Sequence, residues 1–86
     1  MNRALAAALA LSGWYLMTPP QVNGHFDSAA PVSQWMVEAG FPSGDACRKT
    51  LADLASRARN ENRKDDVAKI EAARCFPTDD PRLKEN

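Results

Sequence analysis

The sequence predicts a small α+β domain in which two antiparallel helices pack on a two- or three-stranded antiparallel sheet and one disulfide joins Cys47 to Cys75. Three observations lead to this prediction. Apolar residues alternate with polar ones before residue 42, they recur at helical spacing after residue 44, and the chain contains two cysteines. A chain of 86 residues buries only about 60% of the surface of its unfolded form, so a cross-link would add materially to its stability.

Residues 1–13 are predicted to be a signal peptide or another N-terminal apolar segment. Arg3 supplies a positive charge, residues 4–11 form an unbroken apolar run, and the small residues Ser12 and Gly13 end it. This is the order of a secretory signal. One alternative is a membrane anchor over residues 4–17, although its helix would extend about 21 Å against a hydrocarbon core of about 30 Å; another is a cytosolic amphipathic segment. We expect an exported protein, periplasmic or extracellular, which meets a membrane only if this segment is retained.

Export would place Cys47 and Cys75 in an oxidising compartment, where they have only each other as partners. Their wide separation in the chain excludes a C-x-x-C redox motif. Two thiols are also too few for a structural zinc site unless His25 and a carboxylate joined them. In the chain-entropy model the bridge contributes about 3–4 kcal/mol. We therefore predict a structural disulfide.

Two strands are predicted in the N-terminal half of the chain. Residues 14–17 are aromatic and apolar, and Pro19 and Pro20 follow them, which predicts a short edge strand because proline cannot donate to a ladder. Between residues 32 and 41 bulky apolar side chains occupy every second position from Trp35 onward, which predicts a half-buried strand in which Gly40 could admit a bulge. Residues 21–31 contain an Asn-Gly turn dipeptide and are predicted to be a polar loop.

Two helices are predicted in the C-terminal half. Ser43 is suited to cap the first, whose apolar stripe runs from Cys47 to Ala58. The second is expected to start at Asp65 or Asp66 and to end at Arg74, a polarity that suits the helix dipole.

An antiparallel helical pair that turns near Glu61 would bring Cys75 back to Cys47. Residues 73–77 fit either the end of the second helix or a final strand beside residues 35–41. Residues 78–82 are predicted to form a turn. Residues 14–83 are thus expected to form a single disulfide-stapled domain, followed by a frayed tail at residues 84–86.

Several segments resemble those of a group of short, uncharacterised exported bacterial proteins. They are Gly13-Trp14-Tyr15-Leu16-Met17-x-Pro19-Pro20, Ala30-Pro31-Val32-Ser33-x-Trp35, Phe41, the two cysteines, and Thr78-Asp79-Asp80-Pro81-Arg82-Leu83-Lys84. The resemblance implies a mature N-terminus near Gly13. The chain has Phe41-Pro42-Ser43 where the group has Phe-Asp-Thr or Phe-Asp-Ser, a change that leaves the helix cap in place. The group offers no activity to transfer.

The chemistry-bearing residues are few. His25 with Asp27, or with Asp79 and Asp80, is a weak candidate for a metal or acid–base site. The alternative is that His25 is an exposed loop residue and that Arg82 neutralises the two aspartates in a turn. Neither a nucleophile elbow nor a glycine-rich phosphate loop is present in the sequence, and no cofactor is expected.

Trp14, Tyr15 and Trp35 are the candidates for binding a partner. An edge strand that carries Trp14 and Tyr15 could add to a strand of another protein. Alternatively these rings fill a core that is short of large apolar residues. Because 11 basic side chains balance 11 acidic ones, no nucleic-acid partner is expected.

The expected function is therefore a noncatalytic structural or protein-interaction module of the cell envelope, whose partner is another envelope protein. The alternative is a small metal-binding or hydrolytic envelope protein that uses His25 and nearby carboxylates.

Overall fold

The computed structural model describes residues 13–84, so the predicted signal segment lies, except for Gly13, outside the described residues. In chain order the regular elements are β1 (Trp14–Thr18), β2 (Gln21–Val22), β3 (His25–Phe26), β4 (Met36–Phe41), α1 (Gly44–Asn60), α2 (Lys64–Ala72) and β5 (Arg74–Pro77). Two short 3-10 helices, Val32–Gln34 and Pro81–Lys84, complete the described chain. The predicted α+β class is confirmed. No helix within residues 13–84 is long and apolar enough to cross a membrane.

The main sheet is antiparallel and has the strand order β4-β1-β5. The prediction that residues 14–17 form an edge strand is wrong, because β1 is the central strand and is paired along both sides. The prolines that suggested an edge lie beyond the strand, at positions 19 and 20, so they take no N–H group from either ladder. Burial of Leu16, Met17 and Thr18 agrees with a central position.

The last ordered segment is a strand, which settles the alternative left open for residues 73–77. Its neighbour is β1 rather than the strand at residues 35–41: Leu16 lies opposite Cys75 and Tyr15 opposite Phe76. Arg74 accordingly belongs to β5, and α2 ends two residues before it, at Ala72. The Arg74 guanidinium still serves the helix end, since its Nη1 donates to the carbonyls of Glu71 and Ala73 at 2.8 and 2.7 Å.

Strand β4 contains a bulge at Glu38. Leu16 lies opposite Ala39, but the next residue, Met17, lies opposite Val37. A bulge inserts one extra residue and so reverses the alternation of faces beyond it. The prediction that every second residue from Trp35 to Phe41 shares one face is therefore wrong, and the bulge is not at Gly40.

The helices follow the prediction closely. Ser43 caps α1, its Oγ accepting a hydrogen bond from the Ala46 amide at 3.1 Å, and Asp45 lies in the first turn. The chain leaves α1 at Glu61 and enters α2 at Lys64, one residue earlier than expected. The two helices form the predicted antiparallel pair on one face of the sheet.

Each face of the sheet has its own apolar packing. On the helical face Leu16, Cys47 and Ala73 are buried together, and Leu51 and Leu54 of α1 pack against them. On the other face Phe76 is buried, and the Trp35 ring meets it edge-on with centroids 5.5 Å apart. The two 3-10 helices pack together. The sheet is thus covered on both sides.

The predicted disulfide between Cys47 and Cys75 is confirmed. Their Cα atoms are 6.2 Å apart, and the bond joins the first turn of α1 to β5. The polar loop predicted for residues 21–31 contains a two-stranded hairpin, β2–β3, whose turn is the Asn-Gly dipeptide. Asn23 and Gly24 have positive φ angles of 53° and 82°, as such a turn requires.

Candidate functional site

His25 is exposed on β3 and lies beside α2 rather than near the C-terminal aspartates. It lines a groove of about 360 Å³ together with Asp65 and Ala68. The Asp27 side chain bonds within its own loop and not to His25. Its Oδ1 accepts a hydrogen bond from the Ala29 amide at 3.1 Å, which closes a local turn. The arrangement of His25 is that of an exposed hairpin residue.

Asp80 is engaged by Arg82. Its Oδ1 accepts from the backbone amide and Nε of Arg82 at 2.9 and 3.1 Å, and its Oδ2 accepts from Nη2 at 2.7 Å. The side-chain hydrogen bonds from Arg82, and then the backbone bond, hold the pKa of Asp80 below its ordinary value. The Leu83 amide donates to the Asp80 carbonyl at 3.1 Å and starts the 3-10 helix, which ends at Lys84. Lys84 is the first residue of the tail expected at 84–86; residues 85 and 86 lie outside the described part.

One form of the metal-site hypothesis pairs His25 with Asp27, and the other brings His25 together with Asp79 and Asp80. Asp80 lines a groove beside Trp14, whereas His25 lines the groove beside Asp65. Among residues 13–84 no three His, Cys, Asp or Glu side chains form a group that could hold a metal ion. The structure does not bring the predicted metal candidates together.

The three aromatic candidates all pack within the domain. Trp14 is half-buried against the core, with the Arg48 guanidinium 5.6 Å from its ring centroid. The Trp35 indole N–H donates to the Ala30 carbonyl at 2.9 Å. Tyr15 is half-buried on the central strand, opposite Gly40 and Phe76. Strand addition at residues 14–17 is excluded because both sides of β1 are already paired.

A polar cluster that sequence reasoning missed lies between α2 and the sheet. The Thr18 hydroxyl donates to Glu38 Oε2 at 2.7 Å, and Lys69 Nζ lies 3.4 Å from the same oxygen. These three side chains line two grooves of about 220 and 290 Å³. The bulge turns Glu38 toward the helices, and no spacing in the sequence signals a bulge at that residue. The ion pair between Lys69 and Glu38 links α2 to the sheet.

The two edges of the sheet differ in what they offer a partner. Just after β5 the Thr78 amide donates to the Gly13 carbonyl at 3.0 Å. Because hydrogen-bonded pairs alternate along an antiparallel ladder, the backbone polar groups of Cys75 and Pro77 face away from β1. Pro77 has no N–H, and its carbonyl accepts from the Asp80 amide at 3.1 Å. The outer edge of β5 is therefore mostly blocked.

The outer edge of β4 has no partner strand among the described residues. Within residues 13–84 the strand pairs only with β1, and no other described backbone group bonds to it. Its six residues include no proline and no basic side chain, and Met36 and Val37 are 65% and 48% exposed. Open edges without proline or lysine are the ones that accept another strand.

A further groove runs along β5 and is called here the basic groove. It measures about 630 Å³. Its lining consists of residues 73–77 together with Trp14, Arg48, Leu51, Asp80 and Arg82. Three arginines and one carboxylate give this lining an excess of positive charge.

Comparison of the chain with protein-family models, with curated proteins and with solved structures finds no match. The resemblance to short exported bacterial proteins therefore stays a prediction. Within residues 13–84 the most distinctive surfaces are the outer edge of β4 and the basic groove.

Proposed function

We propose that the mature domain is a noncatalytic, exported protein-interaction module that binds an extended segment of another envelope protein at the outer edge of β4. The observation that carries this proposal is the open edge of β4 with its exposed Met36 and Val37 side chains. An added strand would gain main-chain hydrogen bonds from the edge and apolar contact from these two side chains.

The contrast between the two edges supports the choice of β4. Pro77 and the turn at Asp80 block most of the outer edge of β5 and leave only the peptide groups of Cys75 facing outward, whereas β4 contains no proline and no basic side chain. Proline and lysine are among the residues that keep an edge strand from pairing with another chain.

Support for export comes from the order of residues 1–13 and from the Cys47–Cys75 bond, which is compatible with an oxidising compartment. Support for a noncatalytic role comes from the carboxylates nearest the sheet. Glu38 is engaged by Thr18 and Lys69, and Asp80 by Arg82, in contacts that stabilise the fold.

The edge is tested by a photo-activated cross-linking residue placed at position 36 in the producing cell. We expect a discrete protein adduct, and we expect Val37→Lys to abolish it, because a charge on the edge disfavours strand addition. Val22→Lys is the matched control, since Val22 is 51% exposed on the hairpin and lies outside β4. Loss of the adduct in both lysine variants, or no adduct from position 36, would contradict the proposal.

Export is tested separately by the intact mass of the protein in the periplasmic fraction and the medium. We expect a chain that begins near Gly13 and lacks both thiol hydrogens. Recovery of the full-length, reduced chain from the cytosol alone would contradict export. The proposal for the β4 edge would still be tested by the cross-linking experiment.

A further inference from the structure

We propose that the basic groove binds an acidic, partly apolar segment of a partner protein. This inference is independent of the β4 edge, because the groove lies along the opposite edge of the sheet. Its arginines come from three different elements: Arg48 from α1, Arg74 from β5, and Arg82 from the 3-10 helix after β5.

Charge distinguishes the basic groove from the other grooves of the domain. The chain as a whole has a formal net charge of zero. The grooves beside Lys69 have equal numbers of acidic and basic side chains, and the groove beside His25 includes Asp65. The basic groove instead combines three arginines with Asp80. A local excess of one charge in a neutral chain selects ligands of the opposite charge.

The floor of the groove is apolar and holds two of the guanidinium groups in place. Arg48 lies 5.6 Å from the centroid of Trp14, and Arg82 lies 5.2 Å from the centroid of Phe76. Stacking on a ring orients a guanidinium. Arg82 donates its Nε and Nη2 groups to Asp80, so Arg48 and Arg74 are the arginines that would meet the carboxylates of a partner. Leu51 and Trp14 add an apolar surface, so the fitting ligand carries apolar groups beside its carboxylates.

The carboxylates within the domain leave this charge incompletely matched. Arg48 pairs with Asp45 at 2.8 Å, but the Asp45 side chain is 86% exposed, and such pairs are weak and exchangeable. Arg74 donates to two backbone carbonyls and forms no ion pair with a carboxylate of residues 13–84. A carboxylate from a partner would supply an ion pair that the carboxylates of residues 13–84 do not give Arg74.

The shape of the groove favours an extended peptide over other polyanions. The groove follows β5, where the outward peptide group of Cys75 offers an N–H and a carbonyl to a neighbouring chain. A nucleic acid or an anionic membrane is favoured by a long-range positive field, which a chain of zero net charge does not provide.

The test uses the disulfide-bonded protein and a fluorescent synthetic peptide of alternating Glu and Leu, followed by anisotropy. We expect the peptide to bind about tenfold more tightly than its Gln–Leu analogue, and about 0.5 M NaCl to remove most of that difference. Arg48→Gln and Arg74→Gln should each weaken binding about fivefold. Lys49→Gln, next to Arg48 in the chain but outside the groove lining, should change it less than about twofold.

Circular dichroism of each variant separates a lost contact from a lost fold, which matters for Arg74 because it also binds the end of α2. Equal binding of the two peptides, equal losses in Lys49→Gln and Arg48→Gln, or no binding at about 1 mM protein would overturn the proposal. Arginine-dependent binding to phosphatidylglycerol vesicles in place of the peptide would also overturn it. Val37 does not line the basic groove. The Val37→Lys result therefore tests the β4 edge without testing the proposal for the groove.

Discussion

The hydroxyl of Thr18 donates a 2.7 Å hydrogen bond to Oε2 of Glu38, across the pair of strands that contains the bulge. Thr18 is only 5% exposed, so its hydroxyl depends on this acceptor. Lys69 approaches the same oxygen at 3.4 Å from α2. One carboxylate therefore satisfies a buried group of the sheet and also holds a helix against it.

Replacing Glu38 is expected to show how much this contact contributes. Glu38→Ala leaves the buried Thr18 hydroxyl without an acceptor and should lower the free energy of unfolding by about 1–3 kcal/mol. Glu38→Gln keeps an acceptor and loses only a partly exposed ion pair, so it should cost less than about 1 kcal/mol. Urea unfolding of both variants measures the difference. Equal losses would show that the hydrogen bond is not the stabilising contact.

Opening the disulfide is expected to cost more than any single side-chain contact in the domain. The bond closes a loop with a sequence separation of 28, for which the chain-entropy model gives about 3–4 kcal/mol. Reduction, or the double substitution of Cys47 and Cys75 by serine, should lower the unfolding midpoint in urea accordingly. Both sulfur atoms belong to the disulfide, so the native oxidised protein should contain no thiol at Cys47 that can be alkylated; alkylation of Cys47 without prior reduction would contradict the structure.

The elements that the sequence predicts well are those set by local chemistry. Ser43 can cap only the segment that follows it, and the positive φ angles of Asn23 and Gly24 are typical of Asn-Gly turns. The pairing of Cys47 with Cys75 needed no geometry, because each cysteine had one possible partner.

The errors concern non-local pairing. Whether a strand is central or at an edge depends on which strands return to it. β5 returns to β1 from 57 or more positions along the chain, as the pairing of Met17 with Arg74 shows. The bulge at Glu38 is equally non-local, because it exists only relative to the register against β1. Because the sequence does not reveal the bulge, it could not predict the Thr18–Glu38–Lys69 cluster. It also could not predict that three arginines line one groove.

Asp80 is expected to make the stability of the C-terminal turn depend on pH. Its folded pKa lies below the ordinary value of 3.8, mainly because of the side-chain hydrogen bonds from Arg82. A lowered folded pKa means that the stabilisation is present above about pH 3.8 and is lost as the pH falls through the folded pKa. The stability difference between the wild-type protein and Asp80→Asn should therefore be constant near neutral pH and shrink below pH 3.8.

Asp79→Asn is the control for that experiment, since Asp79 is exposed and neighbours Asp80 in the chain. Thermal unfolding followed at several pH values should show a smaller change for Asp79→Asn than for Asp80→Asn at neutral pH. A loss at Asp80 that stayed the same down to pH 2 would mean that the carboxylate's charge is not what stabilises the turn.

Gly44→Ala is expected to destabilise the domain, although alanine is the better helix former by about 1 kcal/mol. A Cβ atom on Gly44 would lie 3.1 Å from two carbons of the Trp14 ring and 3.0 Å from Nη1 of Arg48. The crowding should outweigh the propensity and give a net loss of about 1–2 kcal/mol, with a shift in tryptophan fluorescence as the ring moves. Gly40→Ala is the matched control, because its Cβ would meet only the Trp14 carbonyl, at 4.0 Å. A stabilised Gly44→Ala protein with unchanged fluorescence would mean that Trp14 does not pack on the start of α1.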